Sequence, residues 1–567
     1  MKAKRILALA LAAIMVLALA ACGGNNNSST PGSTGGNDGG SAGGDSAGGI
    51  ADEFTVCIGS NPETLDPALN SAVDGGNMLI TLFETLLIVD ENLEVVPGQA
   101  ESYTVSDDGL VWTFTMRDGL KWSDGSDLTA KDYEYSFKRI ADPALAAPYG
   151  ETVVGMIDGY EEAAAGNIDA LNVVASDDGK TLTITLSYPC AYFDKIVSFG
   201  TMSPVQQATV EANGDAWATS PETYICNGPY MISEWTSLER IVCKKNPYYK
   251  GGWDNDRIVT DTINFLLIED PSASFAVYNS GEAVMIKDVP TDEIPSLTKV
   301  EDGGDFYIDT QLGTYYLSIC LQKDIFQDVN VRKALSLAID REYLASVIMG
   351  GTYLPAYNFV GPGVADASGE FYENAIAANG GKTYLPQDYE EAKKMAQDAL
   401  AEAGYPGGEG FPSFTYTFNI AGYHQPVAEY LQNVWKEVLG INVELEVVDW
   451  SSFLPQRRAG DYFMSRNGWV MDYNDASNMI ELLYSTNGNN DGKYNSAAFD
   501  AAMDASRVAD INEHFKNLHE AERIMMEDYA CIPCAYYADF WLQRPELKGT
   551  WHSPYGYWYF QYGYVEE

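Results

Sequence analysis

Histidine and basic residues are scarce in this sequence, and both shortages restrict the functions open to it. The 567 residues include four histidines, and 34 lysines and arginines stand against 81 aspartates and glutamates. The formal net charge of −47 argues against nucleic acid and against an anionic lipid surface as binding partners. A strongly acidic surface also keeps a secreted protein soluble, and we assign it no other meaning.

Motifs of the common catalytic sites are missing as well. The chain contains no HExxH, GxSxG or Walker sequence, and residues 381–383 fail as a phosphate loop because Ile376 stands where the first glycine is required. His514 and His519 are the two histidines closest in sequence, and their spacing places them on different faces of a predicted helix. We therefore expect no catalysis, no bound metal and no cofactor.

Cysteine is present, but not in the pattern of a disulfide-stapled domain. Most of the eight cysteines lie in apolar, strand-like runs, where a thiol acts as a small hydrophobic side chain. Cys531 and Cys534 have the spacing of a redox pair, but they interrupt an apolar run that ends at Tyr537 instead of opening a helix. We therefore favour buried structural thiols over a redox site.

The N-terminus has the order of a secretory signal. Three basic residues precede the apolar run 6–21, which is shorter than the about 20 residues of a spanning helix. Residues 19–23, LAACG, resemble the lipobox of bacterial lipoproteins, in which the cysteine becomes the lipid-carrying N-terminus. We expect residues 1–22 to be a signal peptide and Cys22 to be lipidated. The alternative is a free thiol beside an ordinary cleavage site.

Residues 23–50 form the predicted tether, which is rich in glycine, serine and asparagine. A Gly-rich coil of this length spans about 30 Å on average, so the folded body would stay close to a membrane. Lipid and tether together predict a protein that is anchored on the extracytoplasmic face of the cell membrane and is free to rotate.

The rest of the chain is large enough for more than one folded unit, since 46% of all residues are hydrophobic. Period-two alternation predicts strands, helical spacing of apolar residues predicts helices, and a helix followed directly by a strand is typical of α/β lobes. We expect the aromatic tail, residues 551–564, to pack back onto the first lobe. The predicted strands are residues 111–116, 181–186, 441–448 and 536–542, and the predicted helices are residues 331–349, 389–403 and 425–439.

One stretch is specific to a known protein class. Residues 331–341, VRKALSLAIDR, resemble the most recognisable segment of the peptide and nickel class of bacterial extracellular solute-binding proteins. The resemblance covers essentially everything after the tether. It implies an α/β, periplasmic-binding-protein-like, two-lobed clamp with an extra sheet-rich domain. Further landmarks of the class occur in the same order at residues 65–67 (LDP), 83–87 (FETLL), 111–114 (VWTF), 119–125 (GLKWSDG) and 227–230 (NGPY).

The return of the aromatic tail would make the first lobe discontinuous in sequence. Two crossings between the lobes would then form a hinge, with the ligand enclosed between them. The implied boundaries are residues 51–83, 209–310 and 541–567 for lobe I, 84–208 for the sheet-rich accessory domain and 311–540 for lobe II.

Within the class, residues 466–473, RNGWVMDY, resemble the oligopeptide branch. In that branch the residue that matches Asp472 pairs with the free α-amino group of the peptide, which would complete the hydrogen bonds of an interior carboxylate. The resemblance further implies that main-chain groups of Val73, Gly468 and Val470 pair with the peptide backbone. Without the flanking motif, we would interpret Asp472 as a surface residue in a turn.

Other positions are assigned to the ends and side chains of the peptide by the same resemblance. Arg can hold a carboxylate bidentately and does not lose its charge, which suits a contact with the peptide carboxylate. The chain departs from the well-studied form of the family at Ser71, where that form has an acidic residue, and at Val470, where it has a cysteine. The implied carboxylate contacts are Arg457, Arg466 and His424, and the implied pocket walls are Tyr149, Trp450 and Trp469.

These observations predict a receptor that captures short peptides by their backbone and termini. It would act as a monomer and hand its ligand to an ABC permease with its ATPase subunits. One rival is the same scaffold adapted to a nickel chelate, haem or a glycan, none of which offers an α-ammonium group to Asp472. A second rival is a secreted hydrolase, against which the missing catalytic motifs argue.

Overall fold

The computed structural model describes residues 49–59, 61–62, 64–419 and 422–567, without the side chains of Trp450 and Ser451. The predicted signal peptide with Cys22, and the tether up to residue 48, lie outside the described residues. Within the described ranges, no helix combines the length and the apolar character needed to cross a membrane.

An 11-stranded mixed sheet forms the centre of the fold. Its strands follow the order β15-β14-β16-β12-β17-β11-β1-β10-β9-β8, and β13 pairs with β17 off this path. β14 runs parallel to β15 and β16, and β1 runs parallel to β10 and β11. The strands are β1 Glu53–Cys57, β8 Tyr230–Thr236, β9 Arg240–Lys245, β10 Thr262–Leu266, β11 Met285–Ile286, β12 Phe306–Ile319, β13 Leu354–Pro355, β14 Phe414–Asn419, β15 Val443–Val448, β16 Met464–Val470 and β17 Cys531–Gln543.

Two long strands, β12 and β17, connect the two halves of this sheet. The first part of β12 pairs with the last part of β17, beside β11, whereas its second part pairs with the first part of β17, beside β16. The register shifts between Thr310 and Thr314, where the regular pairing is interrupted. Both halves are therefore joined by an antiparallel pair that carries an irregularity at its middle.

A second sheet of four strands has the order β4-β5-β7-β6. The predicted strand 111–116 is confirmed as β5, whose residues alternate between buried and half-buried because one face of the sheet packs on a core. The predicted strand 181–186 is confirmed as β7. The strands outside the large sheet are β2 Leu87–Val89, β3 Val95–Pro97, β4 Ala100–Val105, β5 Val111–Met116, β6 Val173–Ala175, β7 Thr181–Thr185, β18 Leu547–Lys548, β19 Trp551–Ser553, β20 Tyr557–Tyr559 and β21 Tyr564–Val565.

The helices pack on the faces of these sheets and contribute the apolar stripes that the sequence predicts. The predicted helices 389–403 and 425–439 are confirmed as α11 and α12, each within one residue. The helices are α1 Val73–Leu82, α2 Ala130–Ala141, α3 Gly150–Val154, α4 Tyr160–Ala164, α5 Phe193–Ile196, α6 Gln207–Asn213, α7 Pro271–Ser280, α8 Val329–Leu337, α9 Arg341–Tyr343, α10 Phe371–Ala378, α11 Tyr389–Glu402, α12 His424–Leu439, α13 Trp450–Ala459, α14 Ser477–Ile480, α15 Ala497–Ser506 and α16 Ile511–Glu527.

The prediction of one continuous helix over residues 331–349 is wrong. α8 ends at Leu337, and the chain restarts as α9, followed by a π-helical turn at Leu344–Ile348. The break occurs because Asp340 takes an extended backbone and its Oδ1 accepts the Tyr343 N–H at 3.0 Å, which caps a new helix. The spacing of apolar residues does not reveal a helix cap of this kind.

The signature segment 331–341 is tied to β17 by a buried arginine. Arg341 is 3% exposed and donates through Nε to Pro533 O at 2.9 Å and through Nη1 to Ser336 O at 3.1 Å. These bonds satisfy a carbonyl group at the end of α8 and another on β17. The most recognisable stretch of the sequence therefore has a structural role.

The landmark at residues 65–67 is also structural. Asp66 is 3% exposed and accepts from Arg139 Nη1 at 3.0 Å and Nη2 at 2.5 Å, and from Trp217 Nε1 at 3.1 Å. Asn227, in the landmark at residues 227–230, donates to Glu84 O at 2.8 Å and accepts from Glu84 N at 3.0 Å. Buried polar pairs of this kind specify how the segments meet.

The aromatic tail packs onto the first part of the chain, as predicted. Phe560 contacts the rings of Phe54 and Phe265, and Trp253 contacts the rings of Tyr559 and Tyr562. These residues belong to one core with the early strands and the accessory sheet, and a second core contains α8, α11 and α12. The residue boundaries of the lobes stay a prediction.

The prediction of buried structural thiols is confirmed. The cysteines of the described residues are all buried and unbridged. Cys531 and Cys534 both lie within β17, and burial raises the pKa of the Cys534 thiol to about 12. A thiol in that environment is not poised for redox chemistry.

Candidate ligand-binding site

β16 presents one of its edges away from its neighbour β12. Met471 N donates to Leu312 O at 2.8 Å, and residue pairs along an antiparallel ladder alternate between bonded and non-bonded. The amide and carbonyl groups of Gly468 and Val470 consequently point away from β12. On that second edge β14 pairs only as far as Ser465 among the described residues, so the edge has no neighbouring strand beyond that point. The Gly468 N–H donates to Asn467 Oδ1 at 2.8 Å and the Arg466 carbonyl accepts from Arg457 Nη1 at 3.4 Å, and an added strand would exchange these contacts for its own.

Gly468 is required by a close approach to Tyr537. A Cβ atom at position 468 would overlap the Tyr537 hydroxyl, so any other residue would displace that ring. Tyr537 lies on β17, across β12 from Gly468, and its ring contacts Tyr315 with centroids 6.2 Å apart. The glycine therefore lets an aromatic ring pack over the strand whose outer edge is available.

Asp472 follows β16 by two residues and is held by two neutral partners. Tyr149 donates its hydroxyl to Asp472 Oδ1 at 3.3 Å, and Asn478 donates its side-chain amide to Oδ2 at 3.2 Å. Asp472 is partly buried, and it lines a small space of about 50 Å³ together with Phe199 and Tyr557. The alternative of a fully exposed aspartate in a surface turn does not agree with this environment.

Burial raises the pKa of the Asp472 carboxyl to about 7, although the hydrogen bonds from Asn478 and Tyr149 act in the opposite direction. Neutral donors stabilise a carboxylate only in part, and no cationic group is among the causes of this shift. A positively charged ligand group at Asp472 would supply the missing compensation.

Two of the three predicted pocket walls lie beside Asp472. The Tyr149 ring is 6.4 Å from the Trp469 ring and 5.3 Å from the Phe199 ring, measured between centroids. Trp469 Nε1 donates to Asn478 Oδ1 at 3.0 Å, so Trp469 and Asp472 share one partner. The third predicted wall residue, Trp450, starts α13, and its side chain lies outside the described part of the structure.

A larger cavity of about 530 Å³ lies along the same part of the sheet. It brings together three of the predicted contacts, which are Val73 at the start of α1, His424 at the start of α12 and Arg466 on β16. The volume falls within the usual range for small-molecule sites. The other lining residues are Pro271, Ser272, Lys287, Asp288, Val289, Pro290, Thr291, Asp292, Gln311, Tyr315, Met349, Tyr353, Gly422, Tyr423, Tyr537, Ala538, Asp539 and Phe540.

Arg466 and His424 differ in charge, since Arg466 is cationic whereas His424 is neutral in this environment. The Arg466 guanidinium lies over the Tyr315 ring, 5.6 Å from its centroid. His424 is buried and its Nδ1 contacts Asn419 O at 3.0 Å, which assigns the proton to Nδ1. Burial, together with Arg466, lowers the pKa of His424 well below its usual value. Neutral His424 has no proton on Nε2 to donate, so a carboxylate contact would require His424 to take up a proton.

Arg457 forms an ion pair and contacts the Arg466 carbonyl through Nη1 at 3.4 Å. Its Nε is 2.7 Å from Asp491 Oδ2, and both side chains are largely buried. Asn467 also donates to Asp491 Oδ2, at 3.3 Å. A ligand contact by Arg457, which the resemblance implies, stays a prediction.

Several residues of this region were not identified from the sequence. Asn478 orients both Asp472 and Trp469, and its only sequence signal is a polar residue in a short apolar helix. Tyr315, Tyr537 and Asp539 line the large cavity from β12 and β17. These residues are distant in sequence from Asp472, and only the pairing of the two long strands beside β16 brings them to the site.

No group of three or more histidine, cysteine, aspartate or glutamate side chains within the described ranges is arranged to hold a metal ion. The polar groups around β16 are instead main-chain amides and carbonyls, separate carboxylates such as Asp472 and Asp539, the Arg466 guanidinium and several tyrosine rings. Such a set can bind a ligand by hydrogen bonds and charge.

Known proteins are similar to this chain in both sequence and fold. The periplasmic oligopeptide-binding protein OppA of Salmonella typhimurium is 35% identical over 495 residues, which cover 87% of this chain and 88% of that protein. The probable deoxycholate-binding periplasmic protein YgiS of Escherichia coli is 31% identical, covering 89% of this chain and 92% of that protein. The crystal structure of Haemophilus influenzae OppA in complex with RPPGFSPFR matches with a TM-score of 0.79 and 29% identity, over 91% of this chain and 99% of that one.

The match to a family extends over most of the chain. Residues 94–491 match the family described as bacterial extracellular solute-binding proteins, family 5 Middle. The two-lobed α/β fold of its structural relatives agrees with the mixed sheet and separate four-stranded sheet described above. This chain belongs to the family 5 bacterial extracellular solute-binding proteins.

Proposed function

We propose that this protein captures short peptides by their backbone and termini. The observation that carries the proposal is the outer edge of β16, which ends beside Asp472 at one end and at Arg466 at the other. A peptide whose amino group meets Asp472 and whose carboxylate points toward Arg466 would run antiparallel to β16. Five residues lie between Arg466 and Asp472, and the six steps of extended chain correspond to about 20 Å along the strand.

Main-chain hydrogen bonds would supply affinity that does not depend on the side chains of the peptide. Gly468 and Val470 direct amide and carbonyl groups outward, and Val73 lies in the first turn of α1, where backbone N–H groups have no partner within the helix. Tyr149, Trp450 and Trp469 would form walls for side chains, and Val470 and Ser71 are positions at which this site differs from the well-studied form of the family.

The termini would contribute the charged contacts. Asp472 receives the α-ammonium group, and Arg466 receives the carboxylate because its side chain lines the cavity. His424 would join this contact on taking up a proton, and Arg457 would do so for peptides of another length. Each charged contact of this kind contributes roughly 1.5–3 kcal/mol when both partners are desolvated.

The proposal extends to the place of the protein in the cell. We propose that Cys22 carries a lipid, that residues 23–50 tether the body to the extracytoplasmic face of the membrane, and that the body is a monomer. A hinge at the middle of β12 and β17 would let lobe II, residues 311–540, close on lobe I. The closed form would deliver the peptide to an ABC permease and its ATPase subunits, without chemical change to the peptide.

Calorimetry with terminally blocked peptides tests the proposal. N-acetylation of a bound peptide should weaken binding by about 2 kcal/mol or more, because it leaves Asp472 without its charged partner. Asp472→Ala should lose affinity for the free peptide to a similar extent while its melting temperature without ligand stays close to that of the parent protein. Equal affinity for blocked and free peptides would contradict the amine contact.

Mass spectrometry separates this function from its rivals. Ligand that co-purifies with the protein should consist of peptides, whereas a nickel chelate, haem, glycan or bile acid would identify the scaffold as adapted to another solute. Incubation with a peptide mixture should leave every peptide intact. Cleavage products would point to a hydrolase instead.

A further inference from the structure

The large cavity contains more acidic groups than contacts with peptide termini require. Asp288, Asp292 and Asp539 line it together with Arg466, which lies at the β16 side. Lys287 is the basic residue on the acidic side, and its Nζ lies over the Trp558 ring, 5.6 Å from the centroid. The cavity therefore has opposite charge at two ends.

Asp288 is a partly buried acidic group whose main compensation is the nearby charge of Lys287. It follows β11 and lies close to the backbone at Gly59, where an added Cβ would come within 2.8 Å of Asp288 Oδ2. Within the described part of the chain no hydrogen bond reaches its carboxylate. Burial raises the pKa of Asp288, nearby Asp539 and Asp74 raise it further, and Lys287 lowers it.

Asp539 has a different environment. Its Oδ2 accepts from His552 Nε2 at 2.8 Å and from Gln311 Nε2 at 2.9 Å. It lies two residues after Tyr537 on β17, so both side chains leave the same face of the strand about 7 Å apart. Asp539 already has donors and mainly adds negative potential beside Asp288.

The cavity also provides an apolar path to the acidic end. Val289, Pro290 and Phe540 line it next to Asp288. A long cationic side chain can place its methylene groups along such a surface while its charged end reaches a carboxylate.

We propose that Asp288 makes this protein select peptides that carry a lysine or arginine side chain, which enters the acidic end of the cavity. The inference rests on the proposed peptide function and specifies its substrate class. The side chain would contact Asp288 while the peptide carboxylate lies toward Arg466, so that charge is complementary at both ends.

Calorimetry on a peptide series tests the inference. The series is tetra-alanine with lysine placed at each position in turn, and a matched series with norleucine, which has a similar length without the charge. At one position the lysine peptide should bind about tenfold more tightly than its norleucine partner, and this difference should shrink as salt is raised.

Variants of Asp288 test whether this residue causes the lysine preference. Asp288→Asn should reduce the lysine preference to less than about threefold while affinity for tetra-alanine is retained, and Asp288→Glu should preserve the preference. Asp292→Asn is the matched control, because Asp292 lines the same cavity but is exposed, and it should keep the preference.

The outcomes also separate this inference from the peptide function. Tight binding of tetra-alanine without any lysine preference, or a preference that survives in Asp288→Asn, would overturn the inference and leave the peptide function intact. Failure of every peptide in both series to bind would overturn both.

Discussion

Asn478 holds Asp472 from two directions: its side-chain amide donates to Asp472 Oδ2 at 3.2 Å, and its Oδ1 accepts the Asp472 backbone N–H at 3.0 Å. The pair fixes the position of the carboxylate without supplying a positive charge. An anionic group that is oriented in advance and left uncompensated suits a cationic ligand, because little reorganisation is needed on binding.

Peptide affinity should fall as the pH is lowered from 7 to 5. The pKa of unliganded Asp472 is raised to about 7, whereas an ammonium partner favours its charged form and lowers that pKa. Below pH 7 binding must therefore release a proton, and the dissociation constant should rise about tenfold or more over this range. Calorimetry in buffers of different ionisation enthalpy would measure the released proton directly.

An N-acetylated peptide is the control for this pH dependence, since it has no ammonium group to pair with Asp472. Its weak binding should change little between pH 7 and pH 5. A free peptide with a flat pH profile would show that the Asp472 carboxylate does not take part in binding.

Gly468→Ala should weaken peptide binding by about tenfold or more, since the added Cβ displaces Tyr537 beside the available edge of β16. Gly488→Ala is the matched control because a Cβ there meets nothing within 4 Å. Both variants should remain folded, and calorimetry would compare their affinities for one peptide. Parent-like affinity in Gly468→Ala would mean that the Tyr537 ring has no part in the site.

Sequence patterns predict much of this fold because the signals involved are local. Alternation identifies β5 and β7, and apolar spacing with a terminal glycine identifies α12, which ends before Gly440. The same spacing misses the break at Asp340, because a cap outweighs a continued apolar pattern. The resemblance supplies Asp472, Tyr149 and Trp469, which the structure brings together.

The remaining site residues depend on contacts between distant parts of the chain. Asp288 reaches the large cavity from the loop after β11, and Asp539 reaches it from β17, through pairing across more than 200 residues. Neither belongs to a motif. The landmarks that identify the family, such as Asp66 and Arg341, bind other parts of the protein, and their presence indicates the fold more directly than the ligand.

Arg341→Lys should destabilise the protein by about 2–4 kcal/mol, because a lysine ammonium cannot reproduce the four hydrogen bonds of the guanidinium to Pro533 O, Ile339 O, Ser336 O and Ser336 Oγ, and buried acceptors lose their donors. Arg523→Lys is the control, since Arg523 lies on the exposed face of α16, and it should change stability by less than about 0.5 kcal/mol. Urea unfolding gives both values. Peptide affinity of folded Arg341→Lys should be unchanged, whereas a selective loss of affinity would assign this arginine to the site.

A double-mutant cycle separates the two arginines that could meet the peptide carboxylate. Arg466→Met combined with C-terminal amidation of the peptide should show a coupling of about 1 kcal/mol or more, because both changes remove the same contact. Arg457→Met should show no coupling with a short peptide and should reduce stability, since it leaves Asp491 without its ion-pair partner. If only Arg457→Met showed coupling, the peptide carboxylate would contact Arg457 and not Arg466.

Stability should decrease as the pH rises toward 9, and Glu522 should account for a measurable part of the decrease. Glu522 is fully buried, its Oε1 accepts the Val360 N–H at 2.8 Å, and burial raises its pKa to about 8. Because the folded pKa lies above that of the unfolded chain, the folded state holds the proton more tightly. The resulting stabilisation is complete below about pH 4 and is lost as the pH rises through 8. Glu522→Gln keeps the acceptor and cannot ionise. Its unfolding free energy should lie within about 1 kcal/mol of the parent value at pH 5 and should exceed it by about 4–5 kcal/mol at pH 9, since the pKa of Glu522 is raised from 4.5 to about 8. Glu520→Gln, on the exposed part of the same helix, should give no such gain, and an equal gain in both variants would show that surface charge is responsible instead.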